Sequence, residues 1–243
     1  MNADARMRLL FFIPSFNDQQ GLPELVQLLL EKYPHAKVLV VDDGSMPAID
    51  LSRVNSRFSY RFCLFRFPFN VGLGLGTSVA IDYFLRNEFE FLIRLDADGQ
   101  HPIDEIPELL APLHQGHADV VWGERTNHLG VESARAIAGS FLKQTIAWVG
   151  RRVLRSEIRD WFSGFFAMNR RSAKFAAQFH LERYCELQML CIFHGTAIRI
   201  ATRHVRQADR QFGETSINWF DGIMIFMRSS LIMIRYAIRG SSE

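Results

Sequence analysis

The chain has 243 residues, with 28 Lys+Arg against 26 Asp+Glu for a formal net charge of +2, and 48% of its residues are apolar and 22% charged. That length and balance predict one large domain, with or without a small appendage, and exclude a disordered chain, a collagen-like chain and a coiled coil. The small total conceals a split: residues 1–124 sum to −7 and residues 125–243 to +9, and 24 of the basic residues are Arg. An acidic half followed by an Arg-rich half suits a cation site in one and an anionic partner in the other, while two solvated faces are the plainer explanation. Cys63, Cys185 and Cys191 form no paired motif. A disulfide framework or zinc site is therefore not expected, and a reducing, cytoplasmic setting is. Leu9–Ile13 is too short for an export signal, and no uncharged apolar run of ~20 residues occurs, so no spanning helix is expected.

In chain order, Arg8–Ile13 reads as a strand stopped at Pro14, and Gly21–Tyr33 as a helix with Pro23 at its start and Leu25, Leu28 and Leu29 on one side. Lys37–Val41 and Tyr60–Arg66 read as strands, Gly72–Arg86 as a helix, Phe91–Leu95 as a strand, Pro102–His114 as a helix and Asp119–Trp122 as a strand. The second half is less regular. Ala134–Leu154 reads as a long amphipathic helix, Trp161–Met168 as a strand, Leu181–His194 as a helix, Thr196–Thr202 as a strand and Ile217–Ile238 as a helix. Strands alternating with helices predict an α/β fold with a mostly parallel central sheet and helices on both faces. Ligands of such sheets sit beyond the carboxyl ends of the strands. Four polar clusters fall at those ends: Ser15–Asp18, Asp42–Ser45, Asp96–His101 and Gly123–Arg125.

Asp96-Ala97-Asp98 follows an apolar strand. Two carboxylates at a strand end, with Gln100 close behind, suit a hard cation such as Mg²⁺ or Mn²⁺, which takes one or two carboxylates plus substrate phosphates. Asp42-Asp43-Gly44-Ser45 offers carboxylates to a base or ribose, or forms a plain Asp-Gly turn. Asn70–Gly76 is glycine-rich but matches neither the dinucleotide fingerprint nor a Walker loop, so close helix packing is its expected use. Arg203, Arg206 and Arg210 precede Phe212–Ser216 and suit a diphosphate, or form an exposed basic strand. Ile217–Ile238 suits an interfacial helix on an anionic membrane, a core helix or a dimer face. No basic stripe interleaved with aromatics supports nucleic-acid binding.

Together these residues resemble the inverting glycosyltransferases of the GT-A (nucleotide-diphospho-sugar transferase) fold. The branch is that of the dolichyl-phosphate mannose synthases and bacterial polyprenyl-phosphate glycosyltransferases. The resemblance spans roughly residues 8–220 and rests on seven ordered motifs: Ile13–Asp18, Val40–Ser45, Asn70–Gly76, Asp96–Pro102, Val121–Arg125, Asp160 with Ser163-Gly164-Phe165, and Arg210 with Gly213-Glu214. There are departures. Thr215-Ser216 stands where Ser-Lys is usual, Phe16 and Asp18 replace Tyr and Glu, and the glycine segment lacks its usual Ala.

The resemblance implies metal binding by Asp96, Asp98 and Gln100. It implies nucleotide binding by Pro14, Ser15, Asn17, Asp18, Asp42, Asp43, Gly72, Asp96 and Ala97. Arg125, Arg135, Ser163, Gly164, Thr215 and Ser216 would contact the acceptor or its phosphate, and Arg210 would act beside Asp98 in catalysis. The implied reaction is single displacement with inversion, carrying a hexose from a UDP- or GDP-linked sugar to a polyprenyl phosphate. If the acceptor is instead a saccharide hydroxyl, a general base is required, and Asp160 and Glu186 are the candidates. A nucleotide-sugar-binding protein without catalysis is the remaining alternative. Residues 1–215 would form the catalytic domain. Residues 216–243 would form an amphipathic helix, lying on the inner face of the membrane or joining a homodimer.

Overall fold

The computed structural model describes residues 7–99, 101–125, 157–194 and 196–206, together with residues 152, 228, 231 and 232. Its centre is a seven-stranded sheet in the order β3-β2-β1-β4-β6-β5-β7. The strands are β1 (Leu9–Ser15), β2 (Lys37–Asp42), β3 (Phe62–Arg66), β4 (Phe91–Arg94), β5 (Val120–Arg125), β6 (Phe166–Asn169) and β7 (Ile200–Val205). Pairings β1/β2, β2/β3, β1/β4 and β5/β7 are parallel, and β6 runs antiparallel to both β4 and β5. Among the described residues these helices flank the sheet: α1 (Leu22–Lys32), α2 (Leu73–Arg86), α3 (Ile106–His114), α4 (Arg170–Ala176) and α5 (Cys185–Phe193).

The continuous apolar runs of β1 and β2 arise because both faces of a parallel sheet are covered. Leu9, Phe11 and Ile13 point to the side of α1 and α3, where Leu22, Val26, Leu29, Ile106 and Leu109 meet them. Leu10 and Phe12 point the other way, onto Ala80, Ile81 and Phe84 of α2, and the same apolar cluster takes in Ala173 and Ala176 of α4 and Met189 and Phe193 of α5. The expected strands and helices of the first half are all present, within one to four residues at their ends.

Four details depart from expectation. Leu28, placed with Leu25 and Leu29 on the buried side of α1, is 52% exposed. Of the expected strand Trp161–Met168 only Phe166–Met168 is extended, running on to Asn169, because the segment before it forms a loop with its own hydrogen bonds. The last expected strand begins four residues later, at Ile200. Helix α4 was not anticipated; its start is capped by Asn169, whose side chain accepts from Ser172 N–H. Of the expected helices Ala134–Leu154 and Ile217–Ile238, only residues 152, 228, 231 and 232 are described, and the boundary at residue 215 lies outside the described residues. No described helix is long and apolar enough to cross a membrane.

Cys185 and Cys191 are buried, and burial pushes both thiols up to about 12, so neither is a ready nucleophile.

Asp119 ties the far side of the sheet together. Its carboxylate accepts from Arg199 backbone N–H at 3.0 Å, from Arg199 Nε at 3.1 Å and from Asn169 Nδ2 at 2.9 Å. Burial pushes this group up, but the hydrogen bonds from Arg199 and Asn169 and the Arg199 charge outweigh it and bring the carboxyl down to about 2. The folded value lies below the unfolded one, so the stabilisation is complete above about pH 4 and is lost as pH falls toward 2. The shift corresponds to about 2 kcal/mol, which the half-exposed Arg partner reduces to about 1 kcal/mol. Asp119→Asn is therefore expected to lower stability by about that amount at pH 7 and to flatten its decline between pH 4 and pH 2. Urea unfolding of both proteins across that range measures it; parallel stability curves for the two would refute the assignment.

Candidate active site

The polar clusters gather at the carboxyl edge of β1, β2 and β4, and hydrogen bonds join the first two of them. After β1, Ser15 Oγ donates to the Asp18 carbonyl at 2.7 Å. Asn17 adopts a left-handed conformation (φ 54°). Its backbone N–H donates to Ser45 Oγ at 2.9 Å, and its Oδ1 accepts from Met46 N–H at 2.8 Å. The loops following β1 and β2 are thereby clamped side by side.

Asp42 and Asp43 both hold the loop from within, and only Asp42 is closed off from a ligand. Asp42 is fully buried; its Oδ1 accepts from Ser45 N–H at 2.8 Å, and Arg66 Nε lies 3.5 Å from its Oδ2. The Asp-Asp-Gly-Ser turn closes on its own first carboxylate, so Asp42 shapes the loop and presents no oxygen to a nucleoside. Asp43 reaches across to the entry of α2, accepting from Asn70 Nδ2 at 2.9 Å, Val71 N–H at 2.7 Å and Gly72 N–H at 2.9 Å. Gly44 (φ 79°) brings this turn against the chain at Phe69, where an added Cβ would lie 2.5 Å from the Phe69 carbonyl carbon. Close packing, the expected use of the glycine segment, is what Gly74 shows: a Cβ there would collide with the carbonyl oxygens of Leu181 and Glu182.

The strongest electrostatic feature lies after β4. Arg94 is 3% exposed, and its Nη2 donates to Asp96 Oδ1 at 3.1 Å. The other Asp96 oxygen lies 3.0 Å from His101 Nε2. The His101 ring is buried and stacks on Phe165, with centroids 4.9 Å apart and planes 15° from parallel. Burial pushes the Asp96 carboxyl up, but the Arg94 charge, the His101 hydrogen bond and its charge outweigh it and hold Asp96 well below the usual carboxylate range. Asp96 is ionised at any working pH. Asp98 is 4% exposed and lies in the wall of a cleft of about 880 Å³, which runs between α1 and the Ala97–Asp104 segment and includes Leu28, Lys32 and His101.

The segment Asp160–Phe165 closes the site from the opposite side. Trp122 Nε1 donates to the Asp160 carbonyl at 3.0 Å, and Gly123 N–H donates to the Phe165 carbonyl at 2.8 Å. These bonds seat Gly164 directly on Asp96, where a Cβ would fall well inside 3.0 Å of both carboxylate oxygens. Asp160 is 7% exposed and accepts from Phe162 N–H at 3.3 Å. Ser163, expected to meet the acceptor, is fully buried and its Oγ accepts from Phe165 N–H at 3.2 Å, so it fixes the loop instead. Glu186, on the first turn of α5, is 8% exposed, and its Oε1 lies 2.9 Å from Arg94 Nη1.

Asp96, Ala97, Asp98, Gly164 and Glu186 thus belong to one neighbourhood, and Pro14–Asp18 and Asp43–Gly72 to the adjoining one. Gln100, Arg135, Arg210, Thr215, Ser216 and the side chain of Arg125 lie outside the described residues. Arg94 and His101 were not singled out from the sequence. The only signal for them was their spacing of two before and five after Asp96.

The residues present suit a hard divalent cation. Asp96 and Asp98 are oxygen donors, Asp96 is kept ionised by its neighbours, and Gly164 leaves both of its oxygens uncovered by any side chain of its own. Among the described residues no three His, Cys, Asp or Glu side chains converge on one point. Such an incomplete set is typical of cations that share their shell with substrate phosphates and water.

Comparison with known proteins gives a consistent result. The model of the family described as "Glycosyl transferase family 2" matches residues 11–175, more than half of the chain. The polyprenol monophosphomannose synthase of Mycolicibacterium smegmatis is 27% identical over 168 residues, covering 65% of this chain and 55% of that protein. The undecaprenyl-phosphate mannosyltransferase of Micrococcus luteus is 27% identical over 166 residues, covering 66% of each. The chain therefore spans between half and two thirds of the length of these relatives. Glucosyl-3-phosphoglycerate synthase from Mycobacterium tuberculosis, solved with Mn²⁺, UDP-glucose and phosphoglyceric acid, superposes with a TM-score of 0.69 at 15% identity, covering 97% of this chain and 81% of that one. At that identity the likeness is one of fold.

Proposed function

The chain belongs to glycosyl transferase family 2 and is a glycosyltransferase of the GT-A fold, and from that premise we propose that it moves a hexose from a nucleoside-diphosphate sugar to a polyprenyl phosphate with inversion. The carrying observation is the state of the two candidate bases. Glu186 faces a buried guanidinium at 2.9 Å, and an oxygen of Asp160 accepts a hydrogen bond from its own loop. A hydroxyl acceptor needs a base that can reach its proton. A lipid phosphate is already an anion and needs none. The two mannosyl-transferring relatives, named for polyprenol and undecaprenyl phosphate, support the same acceptor class and make mannose the first sugar to try.

In this reading an oxygen of the lipid phosphate attacks the anomeric carbon, the bond from that carbon to the nucleotide breaks, and the nucleoside diphosphate leaves with the electron pair. Asp96 and Asp98, joined by Gln100, would hold Mg²⁺ or Mn²⁺. When bound, that cation neutralises charge on the leaving diphosphate. Arg94 and His101 keep Asp96 ionised and aimed. The clamped loops Pro14–Asp18 and Asp43–Ser45 would floor the nucleoside site, with Gly72 and Ala97 at its edge and Asp42 holding the floor's shape. Arg125, Arg135 and Arg210 would orient phosphates, assisted by the hydroxyls of Thr215 and Ser216. Residues 216–243 would rest on the inner face of the membrane that carries the acceptor, or pair two copies of the chain.

The test is nucleotide release from a panel of UDP- and GDP-sugars with Mn²⁺ or Mg²⁺, with and without polyprenyl phosphate in detergent. Release is expected only when lipid phosphate, donor and cation are all present. Equal release onto a soluble saccharide in the absence of lipid would overturn the acceptor assignment.

A further inference from the structure

The described structure holds one buried cation that the reaction above does not use directly. Arg94 ends β4, the central strand that delivers Asp96, and its guanidinium is 3% exposed. On one side Nη2 donates to Asp96 Oδ1 at 3.1 Å; on the other Nη1 lies 2.9 Å from Glu186 Oε1. The guanidinium carbon lies over the ring of Phe166, 5.8 Å from its centroid. Burial pushes the guanidinium toward losing its proton, but Glu186 and Asp96 outweigh that and hold it charged. A buried charge of this kind persists only with a compensating partner. Asp96 alone is a poor one, because a cation on the same carboxylate would draw its charge away. Glu186 has no such competitor: it faces inward and is 8% exposed.

The pairing also joins distant parts of the fold. Glu186 sits in the first turn of α5, and the residue before it, Cys185, contacts Thr77 Oγ1 of α2 at 3.3 Å. Gly74, on the same helix, packs on the backbone at Leu181 and Glu182. Arg94 is therefore tied to two helices and its own strand, and it holds one oxygen of Asp96 while His101 meets the other.

We propose that Arg94 is a positioning residue for the metal-binding carboxylate of Asp96, and that Glu186 is its buried counter-charge and does not act as a general base. The proposal rests on the glycosyltransferase reading above, with Asp96 in the cation site. Loss of a group that orients a metal ligand from behind costs about 10- to 100-fold in metal affinity. Arg94→Met should therefore weaken Mn²⁺ binding by about that factor, and Arg94→Lys, which restores the charge but not the two-sided fork, should recover part of it. Glu186→Gln should weaken Mn²⁺ by less than Arg94→Met does, because Asp96 still faces Arg94 at 3.1 Å, and the turnover that remains at saturating Mn²⁺ should follow the wild-type pH profile.

The experiment is titration of the whole chain with Mn²⁺ in the presence of UDP or GDP, reading free Mn²⁺ by electron paramagnetic resonance, alongside kcat and the Mn²⁺ dependence of turnover. The double variant Arg94→Met/Glu186→Gln removes both charges together, so it reports on positioning even if Arg94→Met alone fails to fold. Weakened binding in the order Lys, then Met, with Glu186→Gln active at saturating Mn²⁺, is the expected result. Wild-type Mn²⁺ affinity in Arg94→Met or in the double variant would overturn the positioning role. Loss of kcat in Glu186→Gln at unchanged Mn²⁺ affinity would make Glu186 a catalytic base. A wild-type chain that binds nucleotide but no Mn²⁺ would instead overturn the metal reading on which the proposal depends.

Discussion

Gly164→Ala is expected to lower kcat/KM by about 100-fold while leaving a folded protein, since a misplacement of roughly 1 Å at a reacting centre costs about that much. The added methyl would fall well inside 3.0 Å of both Asp96 oxygens, a separation that real Cβ atoms essentially never show. One side must move, and neither moves freely. Asp96 is held by Arg94 at 3.1 Å and His101 at 3.0 Å. The Gly164 backbone is held between the Ser163–Phe165 turn and the bond from Gly123 N–H to the Phe165 carbonyl at 2.8 Å. The carboxylate is the more mobile of the two, because it turns about two side-chain torsions while the loop is anchored at both ends. It therefore swings off its hydrogen bonds. The site is at the sheet edge rather than in either apolar core, so the stability cost stays within the roughly 1–3 kcal/mol of an ordinary overpacked position. Steady-state kinetics with the identified donor, paired with thermal unfolding, separates the two effects. Turnover within twofold of wild type would show that Asp96 has no part in the reaction.

The parts of this architecture that the chain announces locally were legible, and those that depend on remote segments were not. The apolar runs Leu9–Ile13 and Lys37–Val41 are strands because a sheet covered on both faces needs continuous apolarity, and that pattern is written within five residues. Asp96-Ala97-Asp98 was readable for the same reason, as polarity arriving abruptly at a strand end. The burial of Asp42 was not readable. An Asp-Asp-Gly-Ser turn looks the same whether its first carboxylate faces a ligand or its own amides, and the choice is made by Asn17 in the loop after β1 and Arg66 at the end of β3. The burial of Ser163, with its Oγ on Phe165 N–H, has no local signal either. Leu28 has the helical spacing of a core residue, yet the cleft beside Asp98 reaches its side of α1 and leaves it exposed. Arg94 has no signature beyond its place two residues before Asp96, and His101 is visible only as the end of the Asp96–His101 cluster. A charged residue closing a buried strand acquires meaning only when α5 brings Glu186 to it across 92 positions.

Asp98→Ala is expected to reduce turnover by at least about 1,000-fold, the upper range for deleting one preorganised electrostatic group, and added Mn²⁺ should not restore it. Asp98 differs from Asp96 in a way that makes it the sharper probe. Asp96 is already engaged by a buried Arg and a His, so its loss also leaves Arg94 facing Glu186 alone and mixes a structural cost with a catalytic one. Asp98 stands in the wall of the cleft, on the turn where Gly99 (φ 70°) reverses the chain. A near-normal unfolding midpoint together with lost turnover would separate its part in the reaction from its part in the fold. Asp98→Asn sharpens the distinction. It keeps the size of the side chain and one carbonyl oxygen but removes the charge. A deficit that narrows as Mn²⁺ is raised means that the carboxylate acts by recruiting the ion. A deficit that stays constant at saturating Mn²⁺ means that the negative charge itself is required once the ion is bound. An Asp98→Ala protein retaining near-normal, metal-dependent turnover would remove Asp98 from the site and leave Asp96, with the residues that orient it, as the sole carboxylate of the pair serving the cation.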